Sequence, residues 1–127
     1  MNAQTVIEKL KSLPTDIYNL QIEILEKTVN LNDLSRKIIK AESVIRVNIS
    51  EMKDESGKKK YSNEEARRAA FSELVELDIE LIEWKKEMDA LENQIQLQKA
   101  EFDQLVNEQK NFRSILNFLS NSNIQNI

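Results

Sequence analysis

From Ala3 to Met52 the apolar residues hold one seven-residue register, and few folds tolerate that pattern. With Ala3 at position a, the series continues through Leu10, Ile17, Ile24, Leu31, Ile38, Ile45 and Met52. Position d carries Val6, Leu13, Leu20, Leu34 and Ala41, interrupted by Lys27, Asn48 and Glu55. Apolar residues every 3.5 positions form the seam of a coiled coil. A second stripe follows the same rule. With Leu74 at a, it reads Leu74, Leu81, Met88, Ile95, Phe102, Gln109 and Leu116, with d residues Ala70, Leu77, Trp84, Leu91, Gln98, Leu105, Phe112 and Leu119.

Between the stripes lies Asp54-Glu55-Ser56-Gly57-Lys58-Lys59-Lys60-Tyr61, which holds the only glycine in the chain. Glycine suits a turn that needs positive φ. Ser62-Asn63-Glu64-Glu65 then reads as a capping box, in which Ser62 and Glu65 exchange side-chain and backbone hydrogen bonds. The only proline, Pro14, falls inside the first stripe without changing its phase. An interior proline removes a helix hydrogen bond and clashes with the turn before it. Ser12 stands where a restarted helix would be capped. The pattern therefore predicts a helix over about 3–12, a kink, a helix over about 14–53, a loop at 54–61, a helix over about 63–119 and a frayed tail at 120–127.

Two long helices joined by a short polar loop pack as an antiparallel hairpin. The expected fold is all-α, one domain over 1–127. Folding about Gly57 sets Met52 near Arg67 or Ala70, Leu34 near Trp84, Lys27 near Leu91 and Leu10 near Leu105. Gln98 then approaches Tyr18 and Leu20. Such a hairpin buries a narrow seam, yet apolar residues also recur off it. Ile22, Leu25, Val29 and Ile39 on the first arm and Phe71, Val75, Ile79 and Ile82 on the second form a candidate dimer or partner face. A homodimer, two hairpins making a four-helix bundle, would cover it; a different protein is the alternative.

One glycine and one proline in 127 residues leave too little turn chemistry for sandwiches, barrels or doubly wound sheets. The absence of Cys and His removes disulfides, thiolate zinc sites and the commonest general base. No Gly-rich phosphate loop exists, and a serine nucleophile has no histidine partner. We expect no enzyme and no cofactor. The acidic string Glu73, Glu76, Asp78, Glu80, Glu83 and Glu87 lacks the histidines of a diiron bundle and reads as a solvated helix flank. No apolar run approaches a transmembrane length and the N-terminus lacks a secretory leader, so we expect no membrane and a cytoplasmic location.

The formal charge of −4 is uneven. Residues 53–68 carry six positive and four negative charges, residues 69–127 five and eleven. Lys53, Lys58, Lys59, Lys60, Arg67 and Arg68 form a candidate contact for an anionic partner, nucleic acid included. Glu64, Glu65 and the lone ring of Tyr61 favour a merely soluble turn. Likewise Lys27, Asn48, Gln98 and Gln109 fit better as register-fixing residues than as a ligand site.

The stretch from Gly57 through Ala70, GKKKYSNEEARRAA, resembles a G-K-x-x-Y-S-N-x-x-x-R-x-x-A segment of small helical proteins encoded by phages and prophages, where it leads into a long acidic coiled-coil helix. The likeness covers about residues 57–112. It implies no known activity and no catalytic residue, and it points to a phage-related or mobile-element accessory role. The expected function is a non-catalytic interaction module (adaptor, scaffold or inhibitor) with an unidentified protein partner. The alternative is a nucleic-acid accessory protein using the basic tip.

Overall fold

The computed structural model describes residues 2–125, with side chains as far as residue 122. The fold is all-α, a helical hairpin. Helix α1, Ala3–Glu51, is one arm, and α2, Glu64–Leu77, followed by α3, Ile79–Gln125, is the other. Contacts gather into two compact units, one made of residues 1–28 with 93–127 and the other of residues 29–92.

In the first unit, Val6, Leu13 and Leu20 on α1 and Ile95 on α3 are buried. Here the structure corrects the expected break at Pro14. Helix α1 is continuous from Ala3, with Pro14 inside it. Ser12 is no cap: its hydroxyl donates to the Lys9 carbonyl at 3.2 Å, a bond internal to the helix. The helix is capped earlier, by Asn2, whose Oδ1 accepts from the Thr5 N–H and the Thr5 hydroxyl, both at 2.9 Å. An interior proline costs about 3 kcal/mol. Burying one large aliphatic side chain is worth about 1.5–3 kcal/mol. With Val6 at 0% and Leu13 at 3% exposure beside it, the sum favours a continuous helix. Pro14 itself is exposed, so its ring displaces no packing. Glu23 and Gln98 tie the arms here, Gln98 Nε2 donating to Glu23 Oε2 at 2.8 Å. Tyr18, expected beside Gln98, is mostly exposed.

In the second unit, Leu34, Ile38, Ile49, Ala70 and Leu81 are buried. The strict heptad fails at the end of α1, where Asn48 is exposed and Ile49 is only 2% exposed. A straight helix turns every 3.6 residues and drifts about 20° per heptad. After Ile45 the drift brings Ile49 inward instead of Asn48, which avoids desolvating an amide.

The second arm departs further. The helix expected over 63–119 is two helices divided at Asp78, whose backbone is extended at φ −84°, ψ 104°. Asp78 Oδ1 accepts from the Leu81 N–H at 3.1 Å and its carbonyl from Ile82 N–H at 3.0 Å, so Asp78 is the N-cap of α3. The carboxylate also suits the positive end of α3 better than the negative end of α2. Leu77 and Ile79 beside it are 69% and 73% exposed, so the d position assigned to Leu77 is not in the seam. The capping box at Ser62 is likewise replaced. Asn63 is the N-cap of α2, its Oδ1 accepting from Ala66 N–H at 2.7 Å, and this register leaves Glu65 one position short of a box. The tail expected to fray at 120–127 is helical through Gln125, and residues 126–127 lie outside the described residues.

Candidate functional site: a basic turn and an arginine groove

Both candidate surfaces around the turn lie in the second unit. The loop between α1 and α2 is built by Asp54. Its Oδ1 accepts from the Ser56 N–H at 2.9 Å, the Ser56 hydroxyl at 2.6 Å and the Lys58 N–H at 3.1 Å. Gly57, at φ 82°, closes the turn and donates to the Asp54 carbonyl at 3.0 Å. An L side chain would be strained in that conformation. The Asp54 N–H bonds the Lys58 carbonyl at 2.8 Å and the Lys60 N–H bonds the Met52 carbonyl at 2.9 Å, which pairs Lys53 with Lys59 in an isolated antiparallel bridge. The Ser56 hydroxyl, and after it the Lys58 N–H, hold the Asp54 carboxyl below the usual aspartate range.

This scaffold displays Lys53, Lys58, Lys59 and Lys60 exposed around a fixed turn. Lys60 Nζ lies 5.6 Å from the Tyr61 ring centroid. Arg67 and Arg68 are placed differently. Arg67 is half-buried and its Nη1 donates to the Tyr61 carbonyl at 3.4 Å. Arg68 is exposed and pairs with Glu64 at 2.8 Å. Both line an open groove of about 550 Å³, whose walls also include Arg46 and Glu64 and whose apolar lining is Ile49 and Phe71. The structure thus divides the six expected basic residues into four on the turn and two in the groove.

Arg46 belongs to the groove, and the sequence reading missed it. Its guanidinium stacks 4.3 Å from the Phe71 ring centroid and its Nη2 lies 3.7 Å from Glu42. Phe71, expected on a dimer face, is half-buried beneath that cation. The signal that could have exposed Arg46 is the antiparallel register, since it pairs the end of α1 with the start of α2.

The expected partner face is only partly displayed. Leu25, Val29, Ile39 and Ile79 are at least half exposed, whereas Ile22, Phe71, Val75 and Ile82 are half-buried. Ile22 and Leu25 lie in the first unit and the other six in the second. Other large apolar side chains are also exposed, including Val44, Val47, Leu77, Leu97 and Phe118. Among the described residues, no helix is long and apolar enough to cross a membrane, and no group of three or more acidic side chains is placed to hold a metal ion. No family model matches the chain, and neither a curated protein nor a solved structure matches it.

Proposed function

We propose that this protein is a non-catalytic helical-hairpin interaction module that works as an adaptor, scaffold or inhibitor by presenting apolar side chains from its helices to protein partners, a second copy among them. The observation that carries this reading is the exposure of many large apolar residues along both arms, from Tyr18 and Leu25 to Leu97 and Phe118. Large apolar side chains grouped on one helix face, as Tyr18 and Leu25 are at a seven-residue step, fit an interaction surface. The reading extends to an accessory role of the phage or mobile-element type in the cytoplasm, and the resemblance of residues 57–112 supports the accessory role.

Site-specific photo-crosslinking in cells tests it. A photoreactive residue at Leu25, Ile39 or Leu97 should give discrete crosslinked species, while one at exposed Asp89 or Glu101 should not. Equal labelling from both sets, or none from the apolar set, would overturn the reading.

One observation favours a second reading. Arg46 joins Arg67 and Arg68 beside the lysine turn, which enlarges the basic surface beyond the residues the loop supplies. Phosphate contacts by such residues would make nucleic-acid binding strongly salt-dependent. A gel shift at low salt, abolished by Lys58→Glu, Lys59→Glu and Lys60→Glu together, would support it, and absence of a shift at low salt would remove it.

A further inference from the structure

Two contacts identify the sides of the second unit. On one side, Arg46 stacks on Phe71 and Lys85 pairs with Glu42 at 3.6 Å. On the other, Lys37 Nζ approaches the Trp84 ring at 6.0 Å. A stripe on α1 runs Asp33, Lys37, Lys40, Val44, Val47 and Glu51 at alternating four- and three-residue steps, so these side chains share one helix face. Val44 and Val47 are 52% and 51% exposed.

The opposite arm carries the complement. Glu80 and Glu87 flank Trp84 at helical spacing on α3. At about 100° per residue, Glu73 and Leu77 fall on the side of α2 away from Phe71. Leu77 is 69% exposed. One side of the unit thus bears a stripe on α1 whose middle is basic and apolar (Lys37, Lys40, Val44 and Val47, between Asp33 and Glu51), beside an acidic strip with an exposed leucine and a tryptophan on the other arm. Among the described residues, the four ion pairs involve Asp33, Arg36, Glu42, Arg46, Glu64, Arg68 and Lys85, and none uses Lys37, Lys40, Glu73, Glu80 or Glu87.

We infer that this side is a homodimer interface, on which α1 of one copy packs against α2 and the start of α3 of a second copy, and the reverse. This inference rests on the interaction-module reading and names its partner. A two-fold interface must be self-complementary, each patch meeting its counterpart on the other subunit. A basic apolar strip beside an acidic apolar strip meets that requirement, because a two-fold rotation lays each over the other. The charges select the antiparallel exchange and oppose the like-with-like alternative. The exposed Val44, Val47 and Leu77 supply the dry centre. The occupant is therefore a second copy of this chain, and the interface lies on the face opposite the Arg46 groove.

Charge reversal on the full chain tests this. An acidic variant combines Lys37→Glu with Lys40→Glu, and a basic variant combines Glu73→Lys with Glu80→Lys. By analytical ultracentrifugation the wild-type chain should dimerise in the micromolar range. Each variant alone should lose at least about tenfold in self-association, since like charges then face each other. Mixing the two variants should restore a one-to-one dimer, because both contacts become complementary. Far-UV circular dichroism of each variant shows whether it has folded, and the mixture gives a readout that a merely destabilised chain would not. A wild-type monomer at all concentrations would overturn the homodimer, even where crosslinking from Val47 or Leu77 captures a different protein. A dimer unaffected by either variant would place self-association on another face and overturn this one. In both cases the interaction-module reading is judged separately by its own crosslinking at Leu25, Ile39 and Leu97.

Discussion

At Pro14, α1 passes through a residue with no backbone N–H to donate, while at Asp78 the second arm divides at a residue that has one. The Asp78 N–H does form a bond, but to Val75 at 3.3 Å, three residues back, where an uninterrupted α-helix would place it four back. The two sites differ in what stands beside them. Leu13 adjoins Pro14 and is almost fully buried, with Val6 and Leu20 buried about two turns to either side. Leu77 and Ile79 adjoin Asp78 and face solvent, and the next buried residue on that arm is Leu81. Like charges add to the difference, because Glu76 and Glu80 would stand four apart on a continuous helix, a spacing that destabilises it by about 0.2–0.5 kcal/mol. Continuity in these arms is decided by packing on the inner face and only secondarily by the propensity of the residue at the junction.

The largest effect should come from removing the packing beside the proline. Leu13→Ala should cost about 2–5 kcal/mol in urea unfolding. It should also release the amides of residues 3–13 to fast hydrogen exchange, as the segment loses what holds it past Pro14. Leu77→Ala, beside the other junction, should stay within about 0.5 kcal/mol of wild type, as exposed substitutions do. Equal costs at the two positions would break the comparison.

Pro14→Ala should act in the opposite sense. If α1 absorbs the proline only because its flanks are anchored, relieving it should raise stability by up to about 3 kcal/mol, the helix-interior difference between proline and alanine. Unchanged stability would mean that the helix carries no cost at Pro14.

Asp78→Ala should have a smaller effect, a loss of about 1 kcal/mol, the usual contribution of an N-cap side chain. Asp78→Asn should recover most of it, since asparagine caps equally well. A gain in stability with Ala, together with more helical signal in circular dichroism, would show that the junction is imposed by the cap alone and that the inner face prefers a single helix.

These contrasts explain how far the sequence could be read. The heptads from Ala3 and from Leu74, with Gly57 between them, were enough for an all-α hairpin, because a seam periodicity and a single turn residue act over short distances. The continuity of α1 was not legible, because the cost of Pro14 is local while its compensation by Val6 and Leu13 comes from the other arm. Ile49 replaces Asn48 through gradual helical drift, which a strict seven-residue template cannot follow. Asp78 was legible in principle as an N-cap, but it stood inside an acidic run that read as a solvated flank. At the candidate site, Arg67 and Arg68 were found from charge, whereas Arg46 needed the register between the arms. The strip on Lys37, Lys40, Val44 and Val47 was hidden for the same reason, since its meaning depends on the acidic strip beside it.

The smallest predicted effect concerns the turn, where continuity is again held by a side chain and not by a helix. The Asp54 carboxylate accepts three hydrogen bonds, and these favour its ionised form, so its folded pKa lies below the value of an unstructured aspartate. A depressed carboxylate contributes to folding throughout the range above its unfolded pKa and loses that contribution as pH falls through the folded one. The turn should therefore be unaffected by acidification from neutrality to the ordinary aspartate range, and should loosen only below it. The amide resonances of Ser56 and Lys58, followed by NMR against pH, should shift together at that lower point. Asp54→Asn should remove the titration while leaving Gly57 to make its turn. A midpoint at the ordinary aspartate value would show that the carboxylate does not hold the loop, and the lysines it displays would then have no fixed geometry to offer a partner.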